Sequence, residues 1–166
     1  MKPQLFKTPE AFAAWLEKHH ATETELHVAY YKKGVGKQSM TYHEAVDVAL
    51  CYGWIDGVGR RLDDERHCHR YTPRKKSSIW STRNIGRVAE LKKLKRMRPS
   101  GMKAFEARTA KNTGVYAFEN KDKAVLTPAD EKLFKANKKA WAFFGSQPPW
   151  YRRTATWLVL SAKKPE

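Results

Sequence analysis

The chain has 166 residues, with 33 Lys and Arg against 17 Asp and Glu, a formal charge of +16 at neutral pH. A chain of this length buries about 70% of its unfolded surface, so one domain can form without a disulfide or metal staple. Two cysteines exclude a disulfide scaffold, and no stretch approaches the roughly 18 apolar residues of a membrane span.

The first ten residues hold no apolar run of signal-peptide length, and the expectation is a soluble, cytoplasmic protein with free thiols at Cys51 and Cys68. The charge is concentrated: residues 60–111 carry 17 basic and 5 acidic side chains, whereas residues 1–59 carry 6 and 7. Such asymmetry favours a polyanionic or acidic partner.

Thr8 and Pro9 cap and open a helix over residues 8–20, on which Phe12, Trp15, Leu16 and His19 recur at helical spacing. His19 and His20 close it at the negative end of the dipole, where a cation is favoured, and read as helix-end residues. Glu25 to Lys32 alternates as a half-buried strand does, with Leu26, Val28 and Tyr30 on one face and His27, Ala29 and Tyr31 on the other. The turn Lys33 to Lys37 is no phosphate loop, because Tyr31 stands where that motif needs a glycine and Gln38 where it needs a hydroxyl.

Thr41 and Glu44 form a capping box ahead of a second helix lined by Tyr42, Ala45, Val46, Ala49 and Tyr52, which Gly53 stops. Trp54 to Leu62 reads as a strand whose glycines mark a bulge or the close approach of another backbone or a ligand. Asp56, inside it, is either a turn or bulge acceptor or a carboxylate facing a pocket. Beyond the turn Asp63-Asp64-Glu65, Arg66 to Thr72 returns as a partner strand, with His67, His69 and Tyr71 on one face and Cys68 on the other. That alternation splits the cysteine from the histidines, and no second Cys/His cluster follows, so neither a metal nor another cofactor is read from the sequence.

Thr72 to Asn84, Thr-Pro-Arg-Lys-Lys-Ser-Ser-Ile-Trp-Ser-Thr-Arg-Asn, brings cations, hydroxyls and a tryptophan to a helix start. The first N–H groups of a helix lack partners, which makes such a place favourable for an anion. Ile85, Val88, Leu91 and Leu94 mark an amphipathic, cationic third helix; Pro99-Ser100-Gly101 breaks it, and a fourth follows to about Lys111. Residues 112–123 show no pattern. Thr127 and Pro128 start a helix with Leu133, Phe134, Asn137, Ala140, Trp141 and Phe144 inward, and Pro148-Pro149 opens a last one. The fold class is therefore α+β: a small antiparallel sheet of about three strands packed with N-terminal helices, then a C-terminal helical part. The expectation is a single domain, with residues 1–98 as its α/β part and 99–166 as its helical part.

The run Thr41-Tyr42-His43-Glu44-Ala45-Val46-Asp47-Val48-Ala49-Leu50-Cys51-Tyr52-Gly53-Trp54-Ile55-Asp56-Gly57, with Tyr71-Thr72-Pro73-Arg74, Ser78-Ile79-Trp80-Ser81 and Asn84, resembles the YdeI/OmpD-associated, or bacteriocin-protection (OmdA), family. The likeness is specific over residues 41–88 and looser after residue 112, where Trp157 and Ala162-Lys163-Lys164-Pro165-Glu166 are similar to the family's tail. The resemblance implies a role in protection against cationic antimicrobial peptides in concert with an outer-membrane porin. A protein of charge +16 repels a cationic peptide at long range, so the implied route is indirect.

Three classes of action remain open. The first is a pocket for a small or anionic ligand where the hairpin meets the third helix, with Asp56 and Arg74 as charged anchors, Ser78, Ser81 and Asn84 as hydrogen-bonding groups, and Trp54 and Trp80 as apolar walls. Beside it stands the bland reading: a structural Arg74–Asp56 pair, a Ser81 helix cap and two buried tryptophans. The second is sequence-nonspecific nucleic-acid binding through Arg74, Lys75, Lys76, Arg83, Arg87, Lys92, Lys93 and Arg96, with the steep salt dependence of phosphate contacts. The third is an enzyme using Asp56 with Tyr42 or His43; no nucleophile elbow, nucleotide loop or paired carboxylate supports it, and no catalytic residue is assigned.

Overall fold

The computed structural model describes residues 2–114 and 125–161, and the chain divides into two compact units, Met1–Thr113 and Gly114–Glu166. In the first unit the order is β1 (Gln4–Leu5), α1 (Pro9–His19), β2 (Leu26–Tyr31), α2 (Tyr42–Cys51), β3 (Trp54–Arg61), β4 (Arg66–Pro73), α3 (Thr82–Lys93) and α4 (Pro99–Glu106), closed by a 3₁₀ turn at Ala110–Asn112. The sheet order is β1-β2-β4-β3. It has four strands rather than three: the two-residue β1 pairs parallel to β2, too short to leave a period in the sequence.

Capping chemistry fixes the helix starts. Thr8 accepts from the Ala11 amide ahead of Pro9, Thr41 and Glu44 form the reciprocal box, and Ser81 accepts from the Asn84 amide. Antiparallel pairing of β4 with both β2 and β3 places Leu26, Tyr71 and Asp56 in line across the sheet, with Val28, His69 and Gly59 as the next row. Between Asp56 and Gly59 the register shifts at a bulge, as the glycines suggest. Leu26, Val28, Tyr30, Trp54 and Tyr71 pack with Phe12 and Leu16 of α1, Ala45, Val48 and Ala49 of α2, and Val88 and Leu91 of α3 in one core.

Helices α2 and α3 lie side by side and run the same way, because His43 meets Arg83 and, one turn on, Asp47 meets Arg87. Helix α4 begins at Pro99, within the Pro99-Ser100-Gly101 stretch read as a break, since proline is favourable in a first turn, and it ends at Glu106, short of Lys111. It belongs to the first unit, ahead of the division after Thr113.

The second unit holds α5 (Pro128–Ala136), α6 (Lys138–Ser146) and α7 (Pro149–Ser161). The single helix expected from Thr127 to Phe144 is two. Asn137 leaves the helical region at φ −91°, ψ 89° and caps α6 by accepting from the Ala140 amide. Phe134, Trp141 and Phe144 meet edge-on or tilted at 5.1–5.8 Å. A cleft of about 420 Å³ lined by Leu133, Phe134, Phe144 and Val159 opens between the three helices. Most of the patternless stretch at 112–123 and the tail Ala162–Glu166 lie outside the described residues.

Candidate functional site

The polar groups of the first unit converge where α2 starts over the hairpin. Tyr42, the first residue of α2, donates its hydroxyl to Asp56 Oδ2 at 2.6 Å. The Tyr42 ring lies 4.6 Å from the imidazole of His69. Gly59 backs that imidazole so closely that a Cβ at position 59 would stand 2.7 Å from its Cε1 and Nε2. Deeper in, Tyr30 donates to the hydroxyl of the fully buried Tyr71 at 2.9 Å, and His67 stacks on Tyr30 at 5.3 Å. The Tyr71 hydroxyl keeps its own hydrogen, and Asp56 is its cross-strand register partner.

Burial sets the protonation of this cluster. It raises the phenols of Tyr30 and Tyr71, and it raises that of Tyr42 together with the hydrogen bond to Asp56, so all three remain donors at neutral pH. Burial also lowers His67, aided by His69 and Lys32, which keeps its imidazole neutral. The site therefore sets three phenols and a neutral His67 beside Asp56 and His69. His69 Nδ1 is buried without a hydrogen-bond partner, and a buried polar atom of that kind calls for an explanation. Among the described residues no group of three or more His, Cys, Asp or Glu could hold a metal ion. Both cysteines are free and buried.

The residues singled out from the sequence separate into two places. Asp56 belongs to the Tyr42–His69 cluster. Arg74 lies instead over the face of Trp80, 3.6 Å from the ring centre, and donates to the Ile79 carbonyl at 3.1 Å. Ser78 accepts from the Lys75 amide, and Ser81 from that of Asn84, so both hydroxyls hold local backbone. Trp80 is buried edge-on to Phe105 at 5.2 Å, and Trp54 is buried with its indole N–H donating to the His20 carbonyl at 3.1 Å. Both tryptophans are thus core residues.

Of the cations, Arg87 is bound by Asp47 and Glu90, and Arg83 reaches His43 Nδ1 at 3.2 Å. Lys75, Lys76, Lys92, Lys93 and Arg96 are exposed. Tyr30, Tyr42, His67, His69 and Tyr71 were missed as a group. Alternation does place His67, His69 and Tyr71 on one face, and Tyr42 stands beside Asp56 in the sequence reading only as one option for acid–base chemistry, apart from the histidines.

With that geometry in hand, the family comparison divides the chain. A family described as a domain of unknown function (DUF8412) matches residues 4–104. The chain belongs to that family. The family described as "Bacteriocin-protection, YdeI or OmpD-Associated" matches residues 123–166. The relationship to the bacteriocin-protection family therefore holds for the C-terminal segment, whereas the run 41–88 that carries the sequence resemblance lies within the DUF8412 match. No curated protein and no solved structure matches the chain. No helix among the described residues is long and apolar enough to cross a membrane.

Proposed function

We propose that the first unit of this DUF8412 protein is a cytoplasmic small-molecule-binding domain whose ligand hydrogen-bonds to Asp56 and His69 beneath the start of α2. This place lies at the hairpin–α2 junction and shares Asp56 with the hairpin–α3 junction expected from the sequence. The observation that supports it is the buried, unpartnered His69 Nδ1 within a cluster that also holds the Tyr42–Asp56 pair.

A ligand suited to these groups is small, polar, and able to donate to a carboxylate while meeting an imidazole nitrogen; flat aromatic walls leave few other polar contacts. Any contribution to peptide or stress resistance would be indirect, through the ligand's chemistry, because the protein's charge opposes a cationic peptide.

The test is a thermal-shift screen of polar metabolites on the full chain, with hits repeated on Asp56→Asn and His69→Gln. The reading requires the shift to vanish in both variants while their own unfolding stays cooperative. A hit that stabilises both variants as much as the natural protein places the ligand elsewhere.

A further inference from the structure

On the far side of α2 from its first turn, at its C-terminal end, a second cleft of about 250 Å³ is lined by Ala13, Val48, Cys51, Tyr52, Lys95, Arg96 and Arg98. Its three cations come from one short connection, residues 94–98, between α3 and α4. That connection is held rigidly. Arg96 N donates to the Leu91 carbonyl and Lys95 N to the Lys92 carbonyl, both at 3.0 Å, and Arg98 N donates to the Cys51 carbonyl at 3.0 Å. The first two bonds are the paired closure that ends many helices, in which the left-handed residue is usually glycine.

Here that residue is Lys95, at φ 55°, the one non-glycine with positive φ among the described residues. A lysine in the left-handed region carries a backbone cost that glycine would avoid. What the lysine contributes in return is a cation at the mouth of the cleft.

The electrostatics leave an excess of positive charge. Glu17 accepts from the Tyr52 hydroxyl at 2.8 Å and lies 3.6 Å from Arg98 Nε, which offsets one cation. Among the described residues Lys95 and Arg96 have no ion-pair partner within the cleft. Val48 is buried, and burial pushes the Cys51 thiol up to about 11, so the thiol adds no negative charge. A cleft below the roughly 300 Å³ of ordinary ligand pockets takes a compact group. Lys95, Arg96 and Arg98 outnumber the two carboxylates near them, Glu17 beside Arg98 and Glu10, which is lowered first by hydrogen bonds from backbone and Thr8 and then by Arg96, so the positive excess suits a compact anion.

We propose that this cleft binds the phosphate group of a small phosphorylated metabolite, with Lys95 and Arg96 as its principal ligands and Arg98 closing it. The site is independent of the Tyr42–Asp56–His69 cluster, which lies at the opposite end of α2.

Calorimetric titration of the full chain with inorganic phosphate and with glycerol phosphate, at low salt and with chloride as the control anion, tests it. Saturable binding by the natural protein is expected, weakened about tenfold or more in Arg96→Ala, since each lost charge-assisted contact is worth at least a decade. Lys95→Gly separates binding from folding: it should weaken phosphate to a similar degree while its melting temperature without phosphate stays level or rises. Asp56→Asn should leave the titration unchanged. Absence of saturation below the ionic strength that screens the cleft, on the order of 0.1 M, or equal binding by Arg96→Ala and Lys95→Gly, overturns the proposal. So does preference for chloride over phosphate.

Discussion

Arg87 of α3 grips Asp47 of α2 with two parallel hydrogen bonds, Nε to Oδ1 at 2.6 Å and Nη2 to Oδ2 at 2.5 Å. Arg87 is thereby held in its charged form, the hydrogen bond to Asp47 being the larger cause and Glu90 a smaller one. The Asp47 side chain is only 13% exposed and that of Arg87 37%, which places the pair between a surface bridge and a buried one. Breaking it by Arg87→Ala should destabilise the protein by about 1–3 kcal/mol, above a surface pair and below a fully buried one. Arg87→Lys should recover little, because an ammonium cannot reproduce the two-pronged contact. Urea unfolding of both variants decides the matter; full rescue by lysine would show that charge alone suffices.

A second constraint lies where α4 crosses the end of α2. A Cβ on Gly101 would overlap the Cys51 carbonyl oxygen, and one on Gly53, already at φ 78°, would stand 2.9 Å from the Ser100 carbonyl oxygen. Both obstacles are backbone, which cannot swing aside as a side chain can. Gly101→Ala should therefore cost about 3 kcal/mol, the upper range for inserted volume, whereas Gly86→Ala, where nothing lies within 4 Å and the helix gains propensity, should stabilise by up to about 1 kcal/mol. Thermal melts of the two alanine variants that agree within error would remove close approach as the reason for glycine at 101.

Much of the fold was readable because its signals are local. The caps at Thr8 and Thr41, the Gly53 stop, the alternation of β2 and the His67–Cys68–His69 facing are properties of adjacent residues, and all appear as expected. Strand β1 and the break at Asn137 were not readable, the first being two residues long and the second a polar residue whose side chain competes with the helix it interrupts. The site was legible in Asp56 and, as one option for acid–base chemistry, in Tyr42 beside it. Its partners depend on α2 lying over the hairpin, a tertiary fact; Arg74, the expected partner, has Trp80 beneath it, only six residues away in sequence. Both tryptophans followed the bland reading and joined the core.

His67 gives the protein a pH dependence of definite sign. Its imidazole is depressed below the ordinary 6.5, first by burial and then by His69 and Lys32. The unfolded chain therefore takes up a proton at a higher pH than the folded one, and stability falls as pH drops from about 6.5 through the lower folded value. Above 6.5 both states are neutral at this position and it adds no slope. His67→Gln should flatten the fall across that window while leaving the carboxylate-driven loss at lower pH in place. An unaltered slope in chemical denaturation measured at successive pH values would assign the dependence to another group.

Gly59 offers the most direct probe of the proposed ligand site. Its backbone lies flat against one side of His69, and the Tyr42 ring is in contact with the same imidazole, at 4.6 Å. An alanine methyl at 59 would enter the imidazole's space, and because Gly59 does not use positive φ the backbone itself accepts the change. The imidazole is the free end of a side chain and can rotate, so the expected cost is about 1 kcal/mol or less, that of an off-rotamer torsion. The fold should then survive while His69 leaves its position beside Tyr42 and Asp56. In NMR spectra the His69 ring protons should shift as they leave the Tyr42 ring current, and any metabolite that stabilises the natural protein through this site should lose its effect. Unmoved His69 resonances in a folded Gly59→Ala protein would mean that the glycine is not what positions the imidazole. Tyr42→Phe complements it, keeping the ring against His69 but removing the hydroxyl from Asp56. A hydrogen bond to a charged group is worth about 1.5–3 kcal/mol, so this variant should melt lower than Gly59→Ala although it changes less of the shape. The reverse order would show that Asp56 is solvated well enough in the free protein not to need Tyr42.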